Sequence, residues 1–504
     1  MNLLKNYRIK NNFIEIDAYF WVNIQDNMRT KFEKNPDLFT LPISEARFPK
    51  NCRDEAPKLL KGLQAIFENE TLNKEIFNLL NKTINSASIQ KDNSGRKGMG
   101  LWEMLVLAVM RQGLNCNYDK IHYLANTDVV MRTIMGIETL SHVDKKEYGL
   151  TTIKDNVSLL STDTIIEINN IVVGFGHSLL KKKEDALHIK ADSFPVGANV
   201  HFPTDLNLLW DAARKCIDTS EWLAKEEGFS GWRKHNSWKR EIKKLFRNSS
   251  KASSSGGKYK QERLQGVVTS YLHHCKQLQV KVEATLRNTN NLTVLSSVSK
   301  RIELEYYLAM LIKHIDLVYR RIIKSEKIDS SEKLFSIFET HAEWLTKGKK
   351  FTPVEIGHNV LIATDQFNFI VHHKVAFKQA DAQLTKELTL ALVALFPDRV
   401  ATLSLDKGFY SKENKEFVKQ LIPFPVMPKK GKRNKEERDP KFVRYRNAHS
   451  AVESNINQLE HNGLGRCPDR GSESFKKYTA LSVLAYNFHK VGEHLQKLTN
   501  KKAA

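Results

Sequence analysis

Cysteine pairs, long apolar runs and a leader-like start are all missing from this chain. No two cysteines form a CxxC pair; the five are Cys52, Cys116, Cys216, Cys275 and Cys467. This scatter excludes a disulfide framework and a structural zinc site, and it is typical of a reducing compartment. The start, MNLLKNYRIKNNF, has no continuous apolar stretch of signal length, and no later segment is apolar for long enough to cross a membrane. We therefore expect a soluble intracellular protein without a membrane partner.

Acidic residues are scarce relative to basic ones. The 504 residues hold 79 Lys and Arg against 57 Asp and Glu, which gives a formal net charge of +22. A surplus of this sign and size favours an extended polyanion as partner, and nucleic acid is the usual one, although a merely basic protein has the same composition. The apolar fraction of 41% is sufficient for packed cores. The length predicts about two to four domains.

The first part of the chain, residues 1–150, is predicted to be an α-helical N-terminal DNA-binding domain. LWEMLVLAVMRQ (101–112) is apolar on nearly every face and therefore predicts a buried helix. A break at 113–117 separates it from YDKIHYLANTDVVMRTIMGI, which predicts two shorter amphipathic helices. Helix, turn and helix in this order suit a helix-turn-helix DNA reader, and they suit a plain helical bundle equally well.

Strand character begins at DALHIKADSF (185–194), where apolar and polar residues alternate. It returns after residue 350 as a hairpin (359–377), the strand RVATLSLD and the short strand FPVMPKK, with helices between them. This order predicts an α/β fold with a mixed-sheet core that a large helical insertion interrupts. The predicted segments are a helical connector (151–184), the first part of the core (185–204), the α-helical insertion (205–350), the second part of the core (351–461) and a C-terminal helical segment (462–504).

Within the insertion, residues 231–260 differ from their surroundings. This stretch, GWRKHNSWKREIKKLFRNSSKASSSGGKYK, holds ten Lys and Arg, one acid and two tryptophans. Basic residues interleaved with aromatic ones suit contact with the DNA backbone and stacking on bases. A solvated basic face with two core tryptophans is the alternative. The candidate DNA-binding residues here are Trp232, Arg233, Lys234, Trp238, Lys239 and Arg240.

Three acidic residues fall where predicted strands and a predicted helix would meet. Asp192 and Asp406 lie on the polar faces of two strands, and neighbouring strands about 5 Å apart would bring both carboxylates within reach of one divalent cation. Glu453 lies beside the buried stripe of the predicted helix 447–461, which has Asn447 as its N-cap. Oxygen ligands with few histidines favour Mg²⁺ or Mn²⁺, and two such ions about 4 Å apart promote phosphodiester displacement. Spacing alone does not decide this, because aspartate is also a common turn former.

These three acids lie in stretches that resemble the DDE transposases of bacterial insertion sequences, most closely the ISNCY-type group. The matching stretches are ADSFPVGANVHFPTDLNLLWDAAR, ATDQFNFIVHHKV, LDKGFYSKEN, VMPKKGKRNKEE and RNAHSAVESNINQLEHNGLGRCPDRGSESFKKYTALSVLAYNFHKVG. The N-terminal stretch GLWEMLVLAVMRQGLNCNYDKIHYLANTDVVMRTIMGI is similar to the leading helical domain of that group. The ordered set covers most of the chain, weakly over residues 1–95 and in the middle of the insertion.

The resemblance implies an RNase H-like catalytic core in which Asp192, Asp406 and Glu453 are the catalytic residues and bind two Mg²⁺ or Mn²⁺ ions. It implies a transposase that binds terminal inverted repeats, cuts to expose 3′-hydroxyls and joins them to target DNA. Double-stranded DNA is then the partner, a homodimer is the form in the DNA complex, and the location is the bacterial cytoplasm at the nucleoid. A structure-selective nuclease on the same core and a non-catalytic DNA-binding protein are the alternatives.

Further basic residues near the acids are candidates for contact with DNA phosphates. A related transposase group carries a tyrosine, an arginine and a lysine around its glutamate, but the equivalent positions here hold Arg446, His449 and Glu460. That set of contacts therefore does not carry over as a whole. The remaining candidates are Lys407, Arg446, His449, Lys429, Lys430, Lys432 and Arg433.

Overall fold

The chain folds into two compact units. The computed structural model describes residues 8–10, 13–15, 40–49, 52–87, 98–137, 146–180, 186–289, 291–346 and 354–503. The first unit consists of Met1–Val196, Asn359–Asp469 and Glu473–Ala504, and the second of Gly197–His358 and Arg470–Ser472. The second unit is therefore inserted into the chain of the first. The insertion predicted over 205–350 lies within it, and its bounds are wider than predicted.

The N-terminal part of the first unit is mainly helical. They are α1 (Ala56–Glu68), α2 (Glu70–Ala87), α3 (Leu101–Gly113), α4 (Tyr118–Thr127), α5 (Val129–Met135), α6 (Leu150–Ser158) and α7 (Thr162–Leu180). Two short strands, β1 (Arg8–Lys10) and β2 (Phe13–Glu15), precede them and pair antiparallel.

Helix α3 is buried along its whole length, as its apolar sequence predicts. Helices α4 and α5 are separated by Asp128 alone, whose side chain accepts a hydrogen bond from the Met131 N–H and so caps α5. The residues of α5 from Met131 to Met135 are buried. A helix that reads DNA must present its side chains to a groove. The burial of these residues favours plain helical packing for α5, and the DNA-binding role of residues 1–150 stays a prediction.

A mixed sheet of six strands confirms the predicted α/β fold. The strand order is β4-β5-β3-β7-β8, with β6 paired to β5. Strand β7 is parallel to both β3 and β8, whereas β5 is antiparallel to both β4 and β6, which confirms the predicted hairpin. The strands are β3 (Leu187–Gly197), β4 (Glu343–Thr346), β5 (Val354–Thr364), β6 (Ile370–Ala376), β7 (Val400–Leu405) and β8 (Phe424–Val426).

Five α-helices follow strand β6 in the described part of the chain. They are α12 (Asp381–Leu395), α13 (Lys412–Leu421), α14 (Pro440–Ala448), α15 (Ala451–Leu459) and α16 (Ser472–Ala503). The single helix predicted over 447–461 is thus divided into two. Asn447 lies in the last turn of α14, and Ser450 precedes α15. The predicted N-cap role of Asn447 is wrong because α14 runs through that position.

One hydrophobic core joins the N-terminal helices of the first unit to its sheet. Leu105 and Ile165 from the helices, Ile189 and Leu403 from the strands, and Phe488 from α16 all belong to it and are fully buried. The predicted boundaries at residues 150 and 184 are not unit boundaries, because this core is continuous across them. The N-terminal helices are part of the packing of the first unit.

The second unit is mainly helical. Its helices are α8 (Asp205–Glu226), α9 (His235–Ser254), α10 (Lys260–Asn288) and α11 (Leu295–Val318). Leu209, Cys216, Tyr271 and Leu311 lie at the centre of their shared core. Strand β4 pairs with the first residues of β5 in the same unit. In neither unit does the described part of the chain contain a helix both long and apolar enough to span a membrane.

Candidate active site

Two aspartates stand next to each other at one edge of the sheet. Strands β3 and β7 are parallel neighbours, and their last register pair is Ala191 with Leu405. The next residues along the two strands are Asp192 and Asp406. The predicted adjacency of these strands is therefore confirmed. Asp406 stands where β7 ends and the turn Lys407–Phe409 begins.

Glu453, in the first turn of α15, acts electrostatically on the same edge. Burial raises the pKa of Asp192 to about 6, and the charges of Asp406, Asp381 and Glu453 add to the rise. The Ser193 N–H opposes it by donating a hydrogen bond of 2.8 Å to Asp192 Oδ1. The negative charges of these neighbouring carboxylates therefore disfavour the ionisation of Asp192.

Asp381 is a fourth carboxylate of this edge, and the sequence patterns did not reveal it. It is the first residue of α12, and its Oδ1 accepts a hydrogen bond of 2.6 Å from Ser193 Oγ. A Cβ on Gly408 would lie only 2.8 Å from Asp381 Oδ2. Asp381 is thus held between the residue after Asp192 and the turn after Asp406. The available signal was an acid at the first position of a helix that follows a strand.

A histidine and a lysine accompany the carboxylates: His449 is half-buried, and Lys190, two residues before Asp192 in β3, is buried. His449 Nδ1 lies 3.2 Å from Ser404 Oγ, whereas His449 Nε2 is buried and has no hydrogen-bond partner among the described residues. Burial lowers the pKa of His449, against the opposite effect of Asp406. Burial likewise lowers the pKa of Lys190, against the effect of Asp365. His449 therefore offers one unused ring nitrogen beside the carboxylates.

The donor set matches a hard divalent cation in chemistry. Asp192, Asp381, Asp406 and Glu453 supply carboxylate oxygens, which Mg²⁺ and Mn²⁺ prefer. A cation among them would relieve the repulsion that raises the pKa of Asp192. Within the described ranges, however, no three His, Cys, Asp or Glu side chains stand close enough together to form a ready metal site. The carboxylates share one edge, and their side chains have not converged on one point.

The predicted phosphate contacts near this edge differ in exposure. Arg446 is half-buried, and its Nη2 donates to Asn447 Oδ1 over 3.4 Å. Lys429 is also half-buried, and its backbone N–H lies 3.5 Å from Glu437 Oε1. The exposed members of the predicted set are Lys407, Lys430, Lys432 and Arg433. These four side chains are open to a DNA backbone.

The tryptophans predicted to stack on DNA are packed in the second unit. Trp232 is only 4% exposed, and its Nε1 donates a hydrogen bond of 2.9 Å to Thr285 Oγ1. Trp238 is half-buried against the same core. The stacking role predicted for Trp232 is therefore wrong, because its ring offers no free face.

The basic residues of the same stretch lie outside this core. Lys239 is half-buried and forms an ion pair of 2.7 Å with Asp218. Arg233, Lys234 and Arg240 are exposed and remain candidates for DNA contact. The alternative of a solvated basic face with core tryptophans thus describes this stretch better.

Comparison of the chain with protein-family models, with curated proteins and with solved structures finds no match.

Proposed function

We propose that this chain is a DDE transposase with an RNase H-like core, and that it cuts DNA to expose 3′-hydroxyls and joins them to target DNA. The observation that carries the proposal is the edge at which Asp192 and Asp406 follow a register pair of parallel strands while Glu453 acts on Asp192 from α15. Carboxylates from two adjacent strands and a later helix suit metal-dependent phosphodiester displacement.

The topology supports the RNase H-like part of the proposal. Strand β3 lies between the hairpin β5–β6 on one side and the parallel strands β7 and β8 on the other. The candidate ligands lie within β3 (Asp192), directly after β7 (Asp406) and in the first turn of a helix that comes after β8 (Glu453). The long insertion between the first two ligands is the second unit.

Each group of the edge has a place in this reaction. Asp192, Asp406 and Glu453, with Asp381 beside them, would hold two Mg²⁺ or Mn²⁺ ions. When bound, these ions supply Lewis acidity for the attacking hydroxyl and for the departing 3′-oxygen. The exposed cations Lys430, Lys432 and Arg433, with the chain's surplus positive charge, would hold the DNA backbone. Work on paired DNA ends would need a homodimer.

A strand-transfer assay tests the proposal. The full chain is incubated with Mg²⁺, target plasmid and duplex oligonucleotides that carry inverted repeats found beside its gene. We expect cut ends with free 3′-hydroxyls and joined products, and we expect Asp406→Asn and Glu453→Gln to abolish both while DNA binding persists. Glu460→Gln, an acid seven residues after Glu453, is the matched control and should remain active.

The other outcomes contradict the proposal in distinct ways. Cut ends without joined product would identify a structure-selective nuclease on the same core. Binding without either reaction would identify a DNA-binding protein without turnover. If the Asp406→Asn variant were as active as the unaltered protein, the carboxylate edge would have no role in the reaction.

A further inference from the structure

The second unit contains a cavity of about 460 Å³ that the catalytic proposal does not use. It is lined by the start of α8, by β4 and by residues from the end of α9 and the start of α10. All of its lining residues lie within Gly197–His358. Its volume is in the range of small-molecule sites, roughly 300–1,000 Å³.

Three aromatic rings converge on this cavity. Phe202 is 60% exposed and Trp344 is 43% exposed, and their ring centroids lie 5.7 Å apart in an edge-on arrangement. The ring of Phe335 lies against Trp344 from another side, also at 5.7 Å. Large exposed rings are costly unless a partner covers them. Rings that line one concave surface suit a flat ligand that stacks on them.

The walls of the cavity carry positive charge and hydrogen-bonding groups. Arg321 and Lys333 are its cations, and Asp205 is the sole acid among the described lining residues. Asp205 is ion-paired with Arg321, so Lys333 is the lining cation that has no acid partner among the described lining residues. Gln261 and Ser253 add an amide and a hydroxyl. A flat ligand with an attached anion matches this combination.

The surroundings of the cavity strengthen the preference for an anion. Helix α9, which contributes Ser253, has six Lys and Arg residues and a single Glu, Glu241. Lys258 and Lys260, just before Gln261, are exposed. An approaching ligand therefore meets a positive field before it reaches the rings.

We propose that this cavity binds one unpaired nucleotide, with its base against Phe202, Phe335 and Trp344 and its phosphate on Lys333 and Arg321. The base supplies the flat surface, and Gln261 can pair with its edge. Stacking of this kind is strong and tolerant of base identity. The proposal stands on the cavity alone and does not require the catalytic activity proposed above. The nucleotide can be free or part of an unpaired DNA strand.

Binding of a fluorescent base tests this site. The full chain is titrated into a single-stranded oligonucleotide that carries one 2-aminopurine, and into the same oligonucleotide annealed to its complement. We expect the 2-aminopurine signal to be quenched in the single strand and not in the duplex. Phe202→Ala and Trp344→Ala should each weaken single-strand binding by between about fivefold and a hundredfold. Lys333→Gln should weaken it less, since it removes one phosphate contact.

Tyr259→Ala is the matched control, because Tyr259 is 61% exposed in the same basic region but does not line the cavity. Thermal unfolding of each variant separates an effect on binding from an effect on folding, and Phe202, in a loop, is the safer substitution. Displacement of the oligonucleotide by dAMP identifies a site for free nucleotides; no displacement identifies a site for nucleotides within a strand. The proposal is overturned if the Phe202 and Trp344 variants bind like the unaltered protein, or if duplex binding falls equally.

Discussion

The carboxylate edge of the first unit and the aromatic cavity of the second differ in the sign of their charge. At the edge, burial raises the pKa of Asp192, and the negative charges of Asp406, Asp381 and Glu453 add to the rise. In the cavity, Lys333 adds positive charge beside exposed rings. The first region therefore suits the proposed cations, and the second suits the proposed flat anion.

The largest effect on stability and activity is expected from Asp192→Asn, which removes the carboxylate whose pKa is raised. The folded pKa of about 6 lies above the ordinary value of 3.8, so ionising this group destabilises the folded chain at any pH above 6. At about 1.4 kcal/mol per pH unit between the two values, Asp192→Asn should stabilise the protein by roughly 1–3 kcal/mol at pH 8. The same substitution should abolish DNA joining.

The pH dependence supplies the check. The stabilisation should shrink as pH falls from 6 towards 4, because the unfolded chain then also binds the proton that the folded chain already holds. Calorimetric melts at pH 8 and pH 4 measure this. Glu55→Gln is a control of opposite sign, since hydrogen bonding with His489 lowers the pKa of Glu55 and its loss should destabilise the protein. A lower melting temperature of Asp192→Asn at pH 8 would contradict the raised pKa of Asp192.

The second largest effect is expected from Asp381→Asn, which tests whether the edge has three functional carboxylates or four. The substitution keeps a hydrogen-bond acceptor for Ser193 and removes the charge. We expect strand transfer to slow by about ten- to a hundredfold, with more Mn²⁺ needed for half-maximal rate. Rates across a Mn²⁺ titration measure both.

Two matched variants locate the cause of any change at Asp381. Ser193→Ala removes the hydrogen bond of 2.6 Å and leaves the charge, so its effect should be smaller. Gly408→Ala places a methyl group 2.8 Å from Asp381 Oδ2 and should displace that carboxylate. A rate and Mn²⁺ requirement unchanged in Asp381→Asn would leave Asp381 as a structural residue only.

The difference between the two regions also explains what could be predicted from sequence. Asp192 and Asp406 were predictable because the alternation of β3 and β7 places them on known faces, and parallel register then places them together. Asp381 was missed because its role depends on where the first turn of α12 lies in space, which strand periodicity does not report. The short α5 was predictable as a helix, but its burial depends on the packing of the whole first unit.

The second unit resisted prediction for a related reason. Trp232 and Trp344 are chemically alike, yet one is in the core and the other is on the wall of a cavity. Their local sequences do not separate them, since basic residues follow both: Arg233 follows Trp232, and Lys347 lies three residues after Trp344. Burial of a side chain is decided by contacts distant in sequence, so a basic neighbourhood does not predict an exposed ring.

A smaller effect is expected from substitutions in the basic loop that contains Lys430, Lys432 and Arg433. These substitutions test whether cations outside the cavity bind duplex DNA. Lys430→Ala, Lys432→Ala and Arg433→Ala remove three exposed charges. For every phosphate that is no longer neutralised, the slope of log affinity against log salt should fall by about 0.9. Fluorescence anisotropy with duplex DNA at several salt concentrations measures the slope. Trp232→Phe should leave it unchanged, and an unaltered slope in the triple variant would mean that the loop is only solvated.

The smallest expected effect is a loss of stability at low pH, caused by a histidine pair in the second unit. His341 Nε2 lies 2.8 Å from Glu339 Oε2, and His358 Nδ1 lies 2.9 Å from Glu343 Oε1. If each of these nitrogens donates, one further proton must lie between His341 Nδ1 and His358 Nε2, which are 2.6 Å apart. A fourth ring proton on the pair would place an N–H group on both facing nitrogens, and these two groups would repel each other.

Burial lowers the pKa of His358, which agrees with a pair that accepts one shared proton and resists the next. Stability of the second unit should therefore be complete above the ordinary histidine value and fall as pH drops below about 6.5, by at most about 1.4 kcal/mol per pH unit. Tryptophan fluorescence during urea unfolding reports this, because five of the seven tryptophans lie in that unit. His341→Gln removes the shared proton and should flatten the dependence. If the unaltered protein and this variant lose stability in parallel between pH 7 and pH 5, groups other than this histidine pair cause the acid sensitivity. The difference in charge between the two units would then be limited to the carboxylate edge and the aromatic cavity.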